Sequence, residues 1–316
     1  MHPAEPTVAA LSNPLWRYFL ATRPAFLSVT LFAALIGLAT AYADGAPIRA
    51  ATALTTLLFA LVAHAGINVL NDYYDALSGT DDANTERIFP FTGGSRFIQN
   101  GVLTRGETAA YGAMLLLAVM IAGLWLTAVS APGLVGIGAA GLLIGWAYSA
   151  PPLKLNSRGW GEFCVWAGFA LIGVGADFVQ RGGLSPSPVM AVTSFALLVT
   201  NVLYINQFPD RRADAAAGKH HWVVRLGTAR ARWGCSLIPL AAYGWLIGAV
   251  LAGALPWLAL VALAPAVLSA RAARDVLRWA DRPGALGPAI QSTIAAASLH
   301  GVLLAAAIAG AHRLGW

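Results

Sequence analysis

Two polar clusters interrupt an apolar chain: Asn71-Asp72-Tyr73-Tyr74-Asp75, and Asn206-Gln207-Phe208-Pro209-Asp210 followed by Asp214. In each, an asparagine precedes an aspartate by four residues. On a helix that spacing puts both side chains on one face, about 6 Å apart along the axis. Mg2+ takes carboxylate oxygens, substrate phosphates and retained water, with no need of histidine or cysteine. Asn71, Asp75 and Asp81 are therefore candidates for one ion and Asn206, Asp210 and Asp214 for another, with a diphosphate bridging them. Solvation of a helix end would explain one such cluster more easily than two with further acids. Both pairs share an offset of 135 residues, as a duplicated bundle would leave.

A third segment runs from Tyr148 through Pro151-Pro152 to Lys154, Arg158 and Glu162. The prolines end a helix and hold Lys154 and Arg158 in a defined loop. Alone it reads as a basic turn. Beside a diphosphate its cations would neutralise a leaving group, and Tyr148 would steady a cation or hydrogen-bond an acceptor. Thr92-Gly93-Gly94-Ser95-Arg96 reads as a flexible loop, or as backbone amides approaching phosphate. It lacks the order of a nucleotide P-loop, so ATP is not indicated. His64, Asn68, Asn71 or Asp72, and Asp75 form a helical polar stripe, which suits a hydrated bundle interior better than lipid. His64 itself is expected to be a hydrogen-bonded packing residue, and His220 and His221 surface residues.

The elements that must position these groups are membrane spans. Of 316 residues 58% are hydrophobic and 11% charged, with mean hydropathy +0.66, where soluble domains average about 25% charged. Apolar segments run from about 24 to 43, 48 to 77, 106 to 129, 132 to 149, 160 to 180, 186 to 213, 229 to 253, 255 to 279 and 286 to 311. These are nine candidate spanning helices. The chain thus reads as all-α, a single transmembrane domain over 1–316 whose residues 1–15 form a short cytoplasmic tail. Only Arg49, Arg181 and Arg313 fall outside the N-terminus and even loops, which carry 17 of the 20 Lys and Arg. The positive-inside rule then places the N-terminus and both aspartate clusters in the cytoplasm. Cys164 and Cys235 have no paired spacing and read as packing residues. A transporter is the rival from another class, but transporters place ion sites near the midplane, whereas these acids lie at helix ends and the isolated Asp177 near the opposite end of its helix.

Taken together, the residues resemble the UbiA superfamily of intramembrane prenyltransferases. The resemblance rests on Asn-Asp-Tyr-Tyr-Asp with Gly79-Thr80-Asp81, on Gly93-Gly94-Ser95, on Tyr148 to Glu162, and on Asn206 to Asp214 with Gly218-Lys219 and Val224-Arg225-Leu226-Gly227. Lys219-His220-His221-Trp222, where relatives often carry Lys-Arg-Thr, and Thr92 before the Gly-Gly-Ser depart from the pattern. Within the superfamily the chain looks most like 1,4-dihydroxy-2-naphthoate polyprenyltransferases of menaquinone synthesis. The resemblance implies nine helices around a cavity open sideways to lipid, and Mg2+-dependent transfer of a polyprenyl group from its diphosphate to an aromatic acceptor. It implies that Asn71, Asp75, Asp81, Asn206, Asp210 and Asp214 bind Mg2+, that Arg87, Lys154 and Lys219 take the diphosphate, and that Tyr148 and Lys154 serve catalysis. Trp146, Tyr148, Trp160, Phe163 and Trp166 would help shield a carbocation. Acceptors such as 4-hydroxybenzoate, homogentisate or a lipid alcohol remain open. Polyprenyl diphosphate, aromatic acceptor and membrane lipid are the expected partners, with no nucleic acid, in a bacterial inner membrane.

Overall fold

A computed structural model describes residues 4–314. Its helices are α1 (Pro14–Ala21), α2 (Pro24–Ala43), α3 (Ala50–Ser78), α4 (Thr80–Ala83), α5 (Arg105–Val129), α6 (Leu134–Ser149), α7 (Gly161–Arg181), α8 (Pro186–Ala216), α9 (Trp222–Leu226), α10 (Thr228–Ala231), α11 (Gly234–Leu251), α12 (Ala266–Trp279) and α13 (Gly287–Arg313). Eight stretches among the described residues are long and apolar enough to cross a membrane, and Leu134–Ser149 is a shorter apolar helix. These nine match the nine segments expected from hydropathy. The eighth is broken, a 3-10 turn over Trp257–Leu263 running into α12 at Pro265.

Helix length decides where the polar clusters sit. The 29 residues of α3 and 31 of α8 extend about 44 and 46 Å at 1.5 Å per residue, against a hydrocarbon core of about 30 Å. The last turns of both therefore project beyond the apolar slab. Those turns carry the two clusters. Gly79 stops α3 in the left-handed region, φ 75°, which costs glycine nothing, and the chain doubles back through α4 with Asp81 buried.

Small residues let the spans pack closely, as van der Waals association in lipid requires. A Cβ on Gly37 of α2 would lie 2.0 Å from the Gly173 carbonyl oxygen of α7, and one on Gly301 of α13 would meet Phe195 of α8 at 2.6 Å. The main apolar core gathers α2, α7, α8, α11 and α13 around Phe195, Leu198, Leu246 and Leu304. Within it His300 Nδ1 donates to the Ala262 carbonyl (2.8 Å), a group at the broken eighth span, and its Nε2 meets Ser194 at 3.0 Å. At the end of the bundle away from the clusters, Asp177 is held by Arg181 and by the Thr40 hydroxyl, while Arg181 also reaches Asp44 at 2.6 Å. Asp177 is therefore a paired structural acid, and a transporter reading finds no support in it.

The N-terminal segment is more structured than a tail. Its residues 1–3 lie outside the described range, but Leu11 is buried with Ala21, Phe97, Val102 and Leu103. Asn13 caps α1 by accepting from the Leu15 and Trp16 amides.

Gly37→Val should separate α2 from α7 and destabilise the protein by about 1–3 kcal/mol or more. Gly244→Ala, where a Cβ meets nothing within 4 Å, should leave stability unchanged or slightly raised. Thermal unfolding of both in detergent checks this; equal midpoints would contradict the packing.

Candidate active site

The ends of α3 and α8 face each other across one ammonium group. Lys219 Nζ lies 2.8 Å from Asp75 Oδ1 and 3.6 Å from Asp214 Oδ1, with all three side chains nearly buried. The lysine is carried back to α8 by the turn at Gly218, and its amide donates to the Asp214 carbonyl at 2.8 Å. Burial alone would lower the Lys219 pKa, but Asp75 and Asp214 outweigh it and hold the ammonium above the ordinary lysine range. A buried ammonium without a partner would be costly, and Asp75 and Asp214 give this one two.

Around this bridge the remaining acids are held by loop atoms. The segment between α4 and α5 folds over the helix ends and is buried from Thr92 to Phe97. Asn84 Nδ2 donates to Asp210 Oδ1 at 2.6 Å, the Gly93 amide reaches Asp210 Oδ2 at 3.4 Å, and the Ser95 amide reaches Asp72 Oδ1 at 3.3 Å. Gly94 packs directly on Asp81, where a Cβ would lie 2.3 Å from Oδ2. The Thr-Gly-Gly-Ser segment is thus no flexible loop: its amides hold carboxylates. Burial, followed by the charges of Asp75 and Asp72, pushes the Asp81 carboxyl up to about 8.

The other expected residues are distributed as follows. Asn71 donates to Ser149 at the end of α6 (2.8 Å) and to Asp75 (3.3 Å), while Asn206 donates to the Phe91 carbonyl (3.3 Å). Tyr148 lines the cavity beside Asn71 and Asn206. The loop after α6 docks on the exit of α8, since the His220 amide donates to the Ser157 carbonyl at 2.8 Å and Arg225 to that of Arg158 at 2.7 Å. Lys154, exposed on that loop, makes no side-chain hydrogen bond or ion pair among the described residues. Arg87 is taken up by Glu5, 2.7 Å from its Nε, and by the Asn84 carbonyl.

Some expectations need correcting. His221 is buried, not a surface residue, and its Nε2 meets Asp214 Oδ2 at 3.0 Å; only His220 is exposed. Trp146, Trp160 and Phe163 are 40%, 57% and 50% exposed and, with Trp166, stand outside the cavity wall, whose aromatics are Phe26, Phe59, Phe169 and Tyr148. Hydropathy could not assign a helical aromatic to lipid or lumen. Three site residues went unassigned. Asn84 was hidden because a hydrogen-bond partner across a turn leaves no spacing signal, and Asp72, though part of the helical polar stripe, carried no sign that the Ser95 amide would hold it. Arg23 reads in sequence as part of a topological collar, yet it lines the cavity in the left-handed region, φ 59°, with its Nε unpartnered and Asp72 at 3.9 Å.

From the polar cluster a cavity of about 620 Å³ runs along α3 from Asn71 to Thr56. At 1.5 Å per residue that is about 22 Å, most of the bilayer core. Away from the polar end its walls are mostly apolar, with His64 bonded to Thr30 at 2.6 Å, Asn68 donating to the Thr22 carbonyl, and the Thr56 and Thr127 hydroxyls bonded back to their own helices. Met120, Leu124 and Val135 of its α5 and α6 wall keep 45%, 65% and 50% of their surface exposed.

Three buried oxygens at the polar end, Asp81 Oδ2, Asn84 Oδ1 and Asn206 Oδ1, have no hydrogen-bond partner among the described residues. Orphan acceptors among carboxylates are what a hard cation satisfies. Among the described residues no three His, Cys, Asp or Glu side chains converge closely enough to enclose a metal by themselves. The donor set therefore fits Mg2+ that keeps water and takes further ligands from a phosphate.

A sequence model described as the UbiA prenyltransferase family matches residues 30–286. The 1,4-dihydroxy-2-naphthoate octaprenyltransferase of Mycobacterium leprae is 33% identical over 82% of this chain and 83% of its own. The enzyme of that name from Escherichia coli is 31% identical over 89% and 91%. A UbiA homologue from Archaeoglobus fulgidus, solved with DMAPP and Mg2+, superposes with a TM-score of 0.57 over 91% of this chain and 99% of that one, at 15% identity.

Lys219→Met should leave Asp75 and Asp214 buried without their cation and cost about 3 kcal/mol or more of stability in metal-free protein. Lys219→Arg should recover most of it. Chemical unfolding in EDTA measures both, and a Met variant as stable as the parent would contradict the bridge.

Proposed function

The chain belongs to the UbiA prenyltransferase family, and from that premise we propose that it transfers a polyprenyl group from an allylic polyprenyl diphosphate to 1,4-dihydroxy-2-naphthoate. The observation that carries this reading is a largely apolar cavity of about 620 Å³ whose polar end, at Asn71, Asn206, Arg23 and Tyr148, abuts the buried carboxylates through the Asn71–Asp75 and Arg23–Asp72 contacts. A polyprenyl diphosphate has the same division. Its tail dissolves in lipid and its head does not, so only a site at the edge of the bilayer, with a lateral opening for the tail, accommodates both.

In this reading Asn71, Asp75 and Asp81 hold one Mg2+ and Asn206, Asp210 and Asp214 the other. Bound there, Mg2+ supplies positive charge to the diphosphate as it departs. The residues of the chain do the rest. Lys219, already between the two motifs, turns from carboxylates to phosphate oxygens, and Arg87 and Lys154 add charge from the flanking loops. Tyr148, at the junction of polar end and cavity, faces the allylic cation or orients the acceptor ring. Phe26, Phe59 and Phe169 line a wall that keeps water from the cation. Arg23 is the cation on the cavity wall beside Asn68 and Asn71, where an acceptor carboxylate would be paired.

The acceptor assignment draws support from the naphthoate octaprenyltransferases named above, which are similar across most of their length. The distribution of arginine and lysine supports a cytoplasmic N-terminus and active site, in the cell membrane of a bacterium.

Purified protein given a polyprenyl diphosphate, Mg2+ and a panel of acceptors should release diphosphate and form prenylated naphthoate in preference to 4-hydroxybenzoate, homogentisate or a lipid alcohol. EDTA should stop the reaction. Asp75→Ala and Asp210→Ala should each lower turnover by at least about a thousandfold, as loss of a main electrostatic stabiliser does, while folding is kept. Product with another acceptor alone would overturn the naphthoate reading, and no product with any acceptor would refute transfer altogether.

A further inference from the structure

Among the described residues, the N-terminal arm carries the one carboxylate paired with the two arginines of the loop over the site. Glu5 Oε1 accepts from Arg87 Nε at 2.7 Å and lies 2.7 Å from NH2, and its Oε2 is 3.9 Å from Arg96 Nε. The third nitrogen of Arg87, NH1, donates to the Asn84 carbonyl at 2.5 Å. Every nitrogen of that guanidinium is therefore occupied. One N–H remains on each of NH1 and NH2, but the Nε–NH2 edge, which presents two parallel donors to an anion, is taken by Glu5.

The arm is also built to be released without being lost. It is fastened at Leu11, buried among Ala21, Phe97, Val102 and Leu103 and holding Arg17 Nε through its carbonyl at 3.0 Å. Asn100 Nδ2 tethers Glu5 Oε2 at 3.2 Å and the Pro6 carbonyl at 2.9 Å. Glu5 itself keeps 29% of its side-chain surface exposed, so its ion pair sits at a water boundary, where exchange of one anion for another is cheap. Burial would raise the Glu5 carboxyl, but hydrogen bonds from Asn100 and Arg87 and the charges of both arginines hold it below the usual range. The carboxylate is a charged occupant at neutral pH.

Behind Arg87 the contact continues inward. Asn84, whose carbonyl Arg87 grips, donates its side chain to Asp210 of the second motif at 2.6 Å. The guanidinium that Glu5 occupies is thus one residue removed from a proposed metal ligand.

We propose that Glu5 is a built-in counterion of the site, occupying Arg87 in the substrate-free protein and giving way to the diphosphate of the donor. This rests on the assignment of Arg87 to the diphosphate. The N-terminal arm and the phosphate compete for one guanidinium, so apparent affinity for the donor is lower than the cationic loop alone would give. Arg96, 3.9 Å from the same carboxylate, keeps the released arm nearby.

The test is steady-state transfer by the full chain, with inorganic pyrophosphate as inhibitor, on Glu5→Gln, Arg87→Gln and the double variant. Glu5→Gln should lower the donor KM and the half-inhibiting pyrophosphate concentration by about 2- to 5-fold, the range of a partly exposed ion pair, with kcat not raised. In the Arg87→Gln background the second substitution should change neither. Hydrogen exchange across residues 4–10 should rise when Mg2+ and pyrophosphate are added to the parent protein, a readout that does not depend on any variant folding. If Arg87→Gln leaves KM and inhibition unaltered, the diphosphate role of Arg87 is wrong. If Arg87→Gln weakens both while Glu5→Gln leaves them unchanged or weakens them, or exchange in the arm does not rise, the counterion role alone is overturned.

Discussion

Buried carboxylates need a cation, and in this protein the cation arrives from the sequence that follows α8. Lys219 between Asp75 and Asp214 joins two helix ends whose acids would otherwise repel at low dielectric. Two helices of 29 and 31 residues are longer than the slab they cross, so their last turns meet beyond it. That meeting is stable only with a positive charge between them. The polar end of the cavity and the fold of the loop from Asn84 to Leu103 both follow from this one arrangement.

Much of the fold was legible in sequence because a bilayer imposes a simple test. Twenty uncharged apolar residues have few other readings, and the nine segments were recovered within a few residues at each end. The broken eighth span was less legible. Its break lies at Pro265 and is stitched by His300 from α13, a contact over 38 residues that no local pattern carries. The N-terminal segment lacked the periodicity of a span and so read as a tail, whereas Leu11 and Asn13 give it a fixed course.

The site was legible in part, and for a physical reason. Asn71, Asp75, Asn206 and Asp210 announce themselves by helical spacing. Asn84, Asp72 and Arg23 act across loops and between helices, where spacing says nothing, and Arg23 needed a left-handed backbone to aim into the cavity. His221 looked like a surface residue of a basic collar until the turn at Gly218 folded it against Asp214. Cavity aromatics failed similarly, since helices here are apolar all round and the lumen face has no compositional mark. Arg87, expected to add positive charge for the diphosphate, is paired with Glu5 in the structure.

The central claim is that the two aspartate motifs make one site, and coupling between them tests it most directly. Binding of inorganic pyrophosphate with Mg2+ would be measured by calorimetry on Asp75→Asn, Asp214→Asn and the double variant. One shared site is expected to give a double variant that binds no more weakly than the worse single one, a coupling beyond about 1 kcal/mol. Losses that simply add would mean two independent metal-binding helix ends, and would contradict the account.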